Sequence, residues 1–128
     1  KKEYMSRSTA LIFLGSILLN GCVKDICTHE FAMITAQTEG GYLDKTATYR
    51  TSTQDTVSSY YNSQDSTSIP PPFYIVLDDN YAGELKNQSD IFTFYGWVKD
   101  SIVVEENYSI SGDNCHIIKL SGPVVIQL

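Results

Sequence analysis

From Cys27 onward the chain alternates. Cys27, His29, Phe31 and Met33 fall on one side of an extended backbone, with Thr28, Glu30, Ala32 and Ile34 on the other, and a period of two predicts a strand. Glu39-Gly40-Gly41 is a turn signal, and a second strand is expected over Ala47 to Ser52 with Tyr49 inward. Thr53 to Ser68 is almost all Ser, Thr, Asn, Gln and Asp, and reads as a long exposed loop or two short edge strands. Pro70-Pro71-Pro72 lacks ladder donors and ends that excursion. Phe73 to Leu77 is an apolar strand closed by Asp78-Asp79-Asn80, and Ala82 to Asn87 reads as one helical turn. In Ile91 to Val98, Phe92, Phe94 and Val98 oppose Thr93, Tyr95 and Trp97. Lys99-Asp100-Ser101 predicts a hairpin. Ile102, Val104, Tyr108 and Ile110 share the next inward face, and Glu106 interrupts it, which predicts a bulge near Glu105-Glu106. Cys115 to Leu120 and Val124 to Leu128 complete the set. About seven short strands at this spacing, with no long helical period and no internal repeat, predict an all-β antiparallel sandwich, immunoglobulin-like in kind.

The first residues follow a different pattern. Lys1, Lys2 and Arg7 form a basic flank to an apolar run from Ala10 to Leu19, too short for the roughly 20 residues of a membrane span. Leu19-Asn20-Gly21-Cys22 closes it. This resembles the lipobox of bacterial lipoproteins, with Leu19 and Gly21 at the matching positions and Asn20 in place of the usual Ala or Ser. The resemblance implies a signal segment over residues 1–21, a lipidated Cys22, a tether over 22–26 and a sandwich domain over 27–128. Two or three acyl chains suffice for stable anchoring where one is marginal. Four residues separate Cys22 from Cys27, a reach of under about 20 Å that keeps the domain near the membrane.

Charge narrows the partners. The full chain carries a formal charge of −6. From Cys22 onward six basic residues face fourteen acidic ones, a formal charge of −8. With no basic cluster to displace counterions, nucleic acid is not an expected partner, and attachment to the membrane falls to the lipid. With Cys22 committed to lipid, Cys27 and Cys115 form an even pair. In an oxidising compartment they are read as a disulfide in preference to metal ligands or free thiols. In the chain-entropy model closure of so long a loop contributes roughly 4–5 kcal/mol.

Further along, Leu77-Asp78-Asp79, the aromatic strand, Tyr108-Ser109-Ile110 and Asp113-Asn114-Cys115-His116-Ile117 resemble small prealbumin-like lipoproteins of Bacteroidota, related in style to transthyretin-like and carboxypeptidase-regulatory-like domains. That likeness covers most of the region after Cys22. It implies a β-sandwich accessory or binding protein without catalytic residues.

Candidate chemistry is sparse. Cys27, His29, Cys115 and His116 are zinc-ligand types, but the spacing is not that of a structural zinc site, and His29 is expected as a hydrogen-bonded core residue. Asp78, Asp79, Asn80 and Glu84 gather hard oxygen ligands without the spacing of a calcium loop, and are read as a solvated turn. No cofactor or metal is expected. There is no G-x-S-x-G, H-E-x-x-H or phosphate loop, so a non-enzymatic protein is expected. Because sandwich cores commonly hold one Trp, Trp97 is expected inside, with Phe92 and Phe94 on the outer face. In the alternative, Trp97 and Tyr95 form an outward ligand platform, with Tyr60 and Tyr61 as further contacts. Asp55-Thr56-Val57, Asp65-Ser66-Thr67 and Asp100-Ser101-Ile102 resemble the Asp-Ser/Thr-apolar sites of Bacteroidota O-glycosylation, which makes Thr56, Ser66 and Ser101 candidate modification sites in predicted loops or turns. The expected function is a lipid-anchored outer-membrane or envelope module that binds another envelope protein, or alternatively a surface glycan.

Overall fold

The computed structural model describes residues 27–61 and 71–128. The signal-like segment, Cys22 and Ser66 lie outside the described residues. Among the described residues eight strands form two sheets: β1 Met33–Glu39, β2 Lys45–Arg50, β3 Asp55–Tyr61, β4 Phe73–Asp78, β5 Ser89–Val98, β6 Ser101–Gly112, β7 Ile117–Ser121 and β8 Val125–Gln127. The smaller sheet runs β4-β1-β8, the larger β3-β2-β5-β6-β7. Every pairing is antiparallel except that of β8 with β1. The fold is an all-β sandwich, with one parallel pair where a wholly antiparallel arrangement was expected.

The core is filled from both inner faces. Ile34, Ala36, Tyr74, Val76 and Ile126 come from the smaller sheet, and Phe92, Phe94, Val104, Tyr108 and Ile110 from the larger. Leu43, Ala82 and Leu85 seal the ends from connecting segments. Phe94 and Tyr108 meet edge to face with ring centroids 6.3 Å apart, a preferred arrangement for aromatic pairs. The Tyr108 hydroxyl donates to the Pro123 carbonyl at 2.9 Å, so its one polar atom is satisfied.

That contact also fixes Gly122, which lies at φ +123° directly against the buried Tyr108 ring. A methyl group there would overlap the ring, and the backbone angle is unfavourable to any L side chain. Gly122→Ala is therefore expected to destabilise the domain by about 1–3 kcal/mol in urea unfolding. A midpoint equal to that of the parent would contradict this packing.

Four expectations from the pattern are corrected. The first strand begins at Met33, not Cys27, and buries Ile34, Ala36 and Thr38. Residues 27–32 are drawn off the ladder toward Asp79 and Cys115, which leaves His29 and Phe31 exposed. In β2 the inward positions are Thr46 and Thr48, while Tyr49 points outward against Tyr95. The bulge in β6 sits at Val103, because Gly96 pairs with Val104 and Trp97 with Ile102. It turns Ile102 outward, and Glu106 stays in register opposite Phe94. The turn expected over Ala82 to Asn87 starts earlier, as a single 3-10 turn at Asp79–Tyr81, and Lys86 then bridges to Gly112.

Among the described residues of the polar stretch after Thr53, Asp55–Tyr61 form an edge strand, β3, beside β2. Gln54, at φ 58°, reverses the chain between them, and its N–H donates to the Arg50 carbonyl at 2.8 Å.

Candidate functional site: an aromatic groove on the outer sheet face

β5 decides which aromatics are buried. Phe92 and Phe94 carry no polar atom and are fully buried; Thr93, Tyr95 and Trp97 occupy the opposite, outward parity and are half-exposed. This corrects the expectation that Trp97 lies in the core with the phenylalanines outside. Tyr and Trp each pair an apolar ring with a group that reaches water, so the alternation sorts as their chemistry dictates.

Register then assembles the site. Tyr49 lies opposite Thr93 and Lys45 opposite Trp97, so β2 adds a third ring and a cation to the same face. Tyr49 and Tyr95 pack edge to face at 5.6 Å, and Tyr95 and Trp97 are 5.9 Å apart with planes tilted by 41°. Lys45 Nζ stands 4.6 Å from the centre of a Trp97 ring, a cation–π distance. The three rings line an open groove of about 490 Å³, within the usual range for small-ligand sites. Thr51, Gln54 and Thr93 add hydroxyl and amide groups, and Ile102 flanks the Trp97 end. Thr93 is already oriented, its hydroxyl donating to Asn107 Oδ1 at 2.8 Å.

The near end is held rigid by Arg50. Its guanidinium bridges Asp90 and Glu84, each at 2.7 Å, and lies 5.9 Å from the Phe92 ring centre. Asp90 also accepts from the Ser52 hydroxyl and the Ile91 N–H. Burial pushes the Asp90 carboxyl up, but the bonds from Ser52, Arg50 and Ile91 outweigh it and hold it below the usual range. Among the described residues no carboxylate lines the groove. The arrangement suits binding through stacking and hydrogen bonds.

Of the other candidates, Tyr60 packs against Tyr74 at 5.6 Å as a half-buried supplement to the core, away from the groove. The Tyr61 side chain lies outside the described residues. Thr56 is exposed on β3 rather than in a loop, and Ser101 is the exposed first residue of β6 after the Lys99-Asp100 turn.

The zinc and calcium candidates resolve into a different constellation. Cys27 and Cys115 are joined as a disulfide with Cα atoms 5.2 Å apart. His29 is exposed on the approach to β1, not in the core. Asp79, expected in a solvated turn, is a buried hub. Its side chain is 8% exposed and accepts the Ala32 N–H at 2.6 Å, the Ile117 N–H at 2.9 Å and His116 Nδ1 at 2.7 Å. His116 Nε2 in turn meets the Thr28 hydroxyl at 2.8 Å. Among the described residues no cluster of His, Cys, Asp or Glu is arranged to hold a metal ion. Neither this hub nor the Arg50 bridge is visible in the sequence, because their partners are 34 to 88 positions apart with no motif between them.

This hub sets a pH window. The bond to Asp79 raises the His116 imidazole above its ordinary 6.5. Burial pushes the Asp79 carboxyl up, but its three hydrogen bonds more than reverse that and leave it below its ordinary 3.8. A raised histidine stabilises the fold fully below 6.5, and that contribution is lost as pH rises through the folded value. A lowered aspartate stabilises above 3.8, and that contribution is lost as pH falls through the folded value. Stability is thus expected to peak between about pH 4 and 6.5 and to decline on both sides. Unfolding midpoints across pH check this, and a rise in stability from pH 6 to 8 would contradict it.

No protein-family model, curated protein or solved structure matches this chain.

Proposed function

We propose that the chain is a lipid-anchored binding module of the bacterial cell envelope, held at the outer membrane through Cys22, with a glycan as its ligand. The observation that carries this reading is the outward row of Tyr49, Tyr95 and Trp97 along one open groove. Aromatic faces stack on the apolar faces of sugar rings, and the neighbouring hydroxyl and amide groups suit sugar hydroxyls. The anchor rests on Leu19-Asn20-Gly21-Cys22, and the disulfide fits the oxidising compartment that a lipoprotein enters. The two-sheet sandwich is compatible with kinship to the prealbumin-like lipoproteins.

Retention of the full chain, in detergent, on immobilised neutral polysaccharides tests the reading. Trp97→Ala and Tyr95→Ala are each expected to weaken retention tenfold or more, about 1.4 kcal/mol. Equal retention of parent and variants would overturn the glycan reading.

A second reading, docking on another envelope protein, is favoured by β7. It ends the larger sheet and exposes Ile118 and Leu120 by 43% and 57%, the features of an edge that accepts an added strand. Pull-down of the native lipidated protein by a stable envelope partner, lost on Leu120→Lys, would favour it.

A further inference from the structure

The disulfide places two neighbours against one another. Cys27 is followed by Thr28 and Cys115 by His116, so the bond that joins the cysteines also brings the next pair face to face. Thr28 Oγ1 lies 2.8 Å from His116 Nε2. His116 Nδ1 lies 2.7 Å from Asp79 Oδ2. The carboxylate is 8% exposed and the imidazole 26%, while Thr28 is exposed to solvent. Hydroxyl, imidazole and buried carboxylate therefore follow one another at hydrogen-bond distance, the order in which a base and its orienting group activate a nucleophile.

Asp79 is the fixed member. Backbone N–H groups from Ala32 and Ile117 hold it from two sides, and it is left facing Nδ1 as an anion. With Nδ1–H donating to Asp79, neutral His116 presents the Nε2 lone pair to the Thr28 hydroxyl.

We propose that Thr28, His116 and Asp79 form an esterolytic site for small acyl esters, separate from the aromatic groove. Thr28 Oγ1 bonds to the acyl carbon while its proton passes to His116 Nε2. The bond from the acyl carbon to the alcohol oxygen then breaks, and the departing alcohol takes that proton, leaving acyl-threonine and neutral imidazole. Water next bonds to the acyl carbon and gives a proton to Nε2. The threonine oxygen leaves and recovers that proton, so the products are one carboxylic acid and one alcohol, with no change in oxidation state. Thr28 is the nucleophile, His116 the general base and acid, and Asp79 a positioning residue.

The test uses the oxidised full chain in detergent with p-nitrophenyl acetate. Thr28→Ala and His116→Ala are each expected to lower turnover about 100-fold, in the range of a lost acid–base partner, whereas Thr28→Ser retains it. Acid quenching during turnover is expected to trap an acetyl group on the peptide that carries Thr28. The acidic groups facing His116 are Asp79, Asp113 and Glu30. The rate is expected to rise with pH as His116 loses its proton, and Asp79→Asn to move that midpoint to lower pH. A Thr28→Ala protein as fast as the parent overturns the proposal, including the case in which His116→Ala alone is slow and the imidazole is itself the nucleophile.

Discussion

Replacing Cys27 and Cys115 by serine lowers the unfolding free energy by about 4 kcal/mol. The bond spans a sequence separation of 88, and in the chain-entropy model a loop of that size removes roughly 4–5 kcal/mol of freedom from the unfolded chain. Strain and residual structure trim this figure. Native contacts point the same way, because residues 27–32 belong to no strand. They are held by the disulfide, by Thr28 against His116 and by Ala32 against Asp79. For a domain of about 100 residues each kcal/mol moves Tm by about 4–8 °C, so a drop of at least about 15 °C is expected. Thermal unfolding of parent and double variant measures it, and a drop below about 5 °C would contradict the account.

Asp79→Ala is the second large effect, at about 3 kcal/mol. It removes the acceptor for two backbone N–H groups and for His116. Unsatisfied buried donors cost about 1–3 kcal/mol each. The loss falls where three segments meet: the approach to β1, the exit of β4 and the start of β7. Asp79→Asn keeps the shape and one acceptor oxygen, so it should lie between parent and Ala in urea unfolding. An Ala variant within about 0.5 kcal/mol of the parent would show that the hub is not holding these segments together.

Both effects bear on how much was legible in the chain. The sandwich class was, because period-two alternation and closely spaced turn residues survive tertiary packing. The disulfide was legible as well, from cysteine count and compartment. The faces of several strands were not. On β5, alternation alone separates Phe92 and Phe94 from Tyr95 and Trp97 but does not say which set turns inward. The large sheet decides that by setting Phe94 against Tyr108 and leaving Gly96 free to take Leu43 closely over it. Alternation across Cys27 to Met33 misled, since a covalent bond and the Asp79 carboxylate pull that segment off the ladder. Tyr49 carried no signal of joining Trp97, because their meeting depends on the register between β2 and β5. The Thr28–His116–Asp79 chain was equally silent, with its members distributed over three parts of the sequence.

Glycan binding is proposed for the outer aromatic groove, and Trp97 is the chain's single tryptophan. Its fluorescence therefore reports the groove and nothing else. The direct measurement is a titration of the full chain with neutral polysaccharides, following Trp97 emission together with its quenching by acrylamide. A bound sugar covering the ring is expected to shift emission to the blue and to protect it from quencher, saturably and only when Tyr49 and Tyr95 are intact. Emission and quenching that stay unmoved across the polysaccharides would contradict the account.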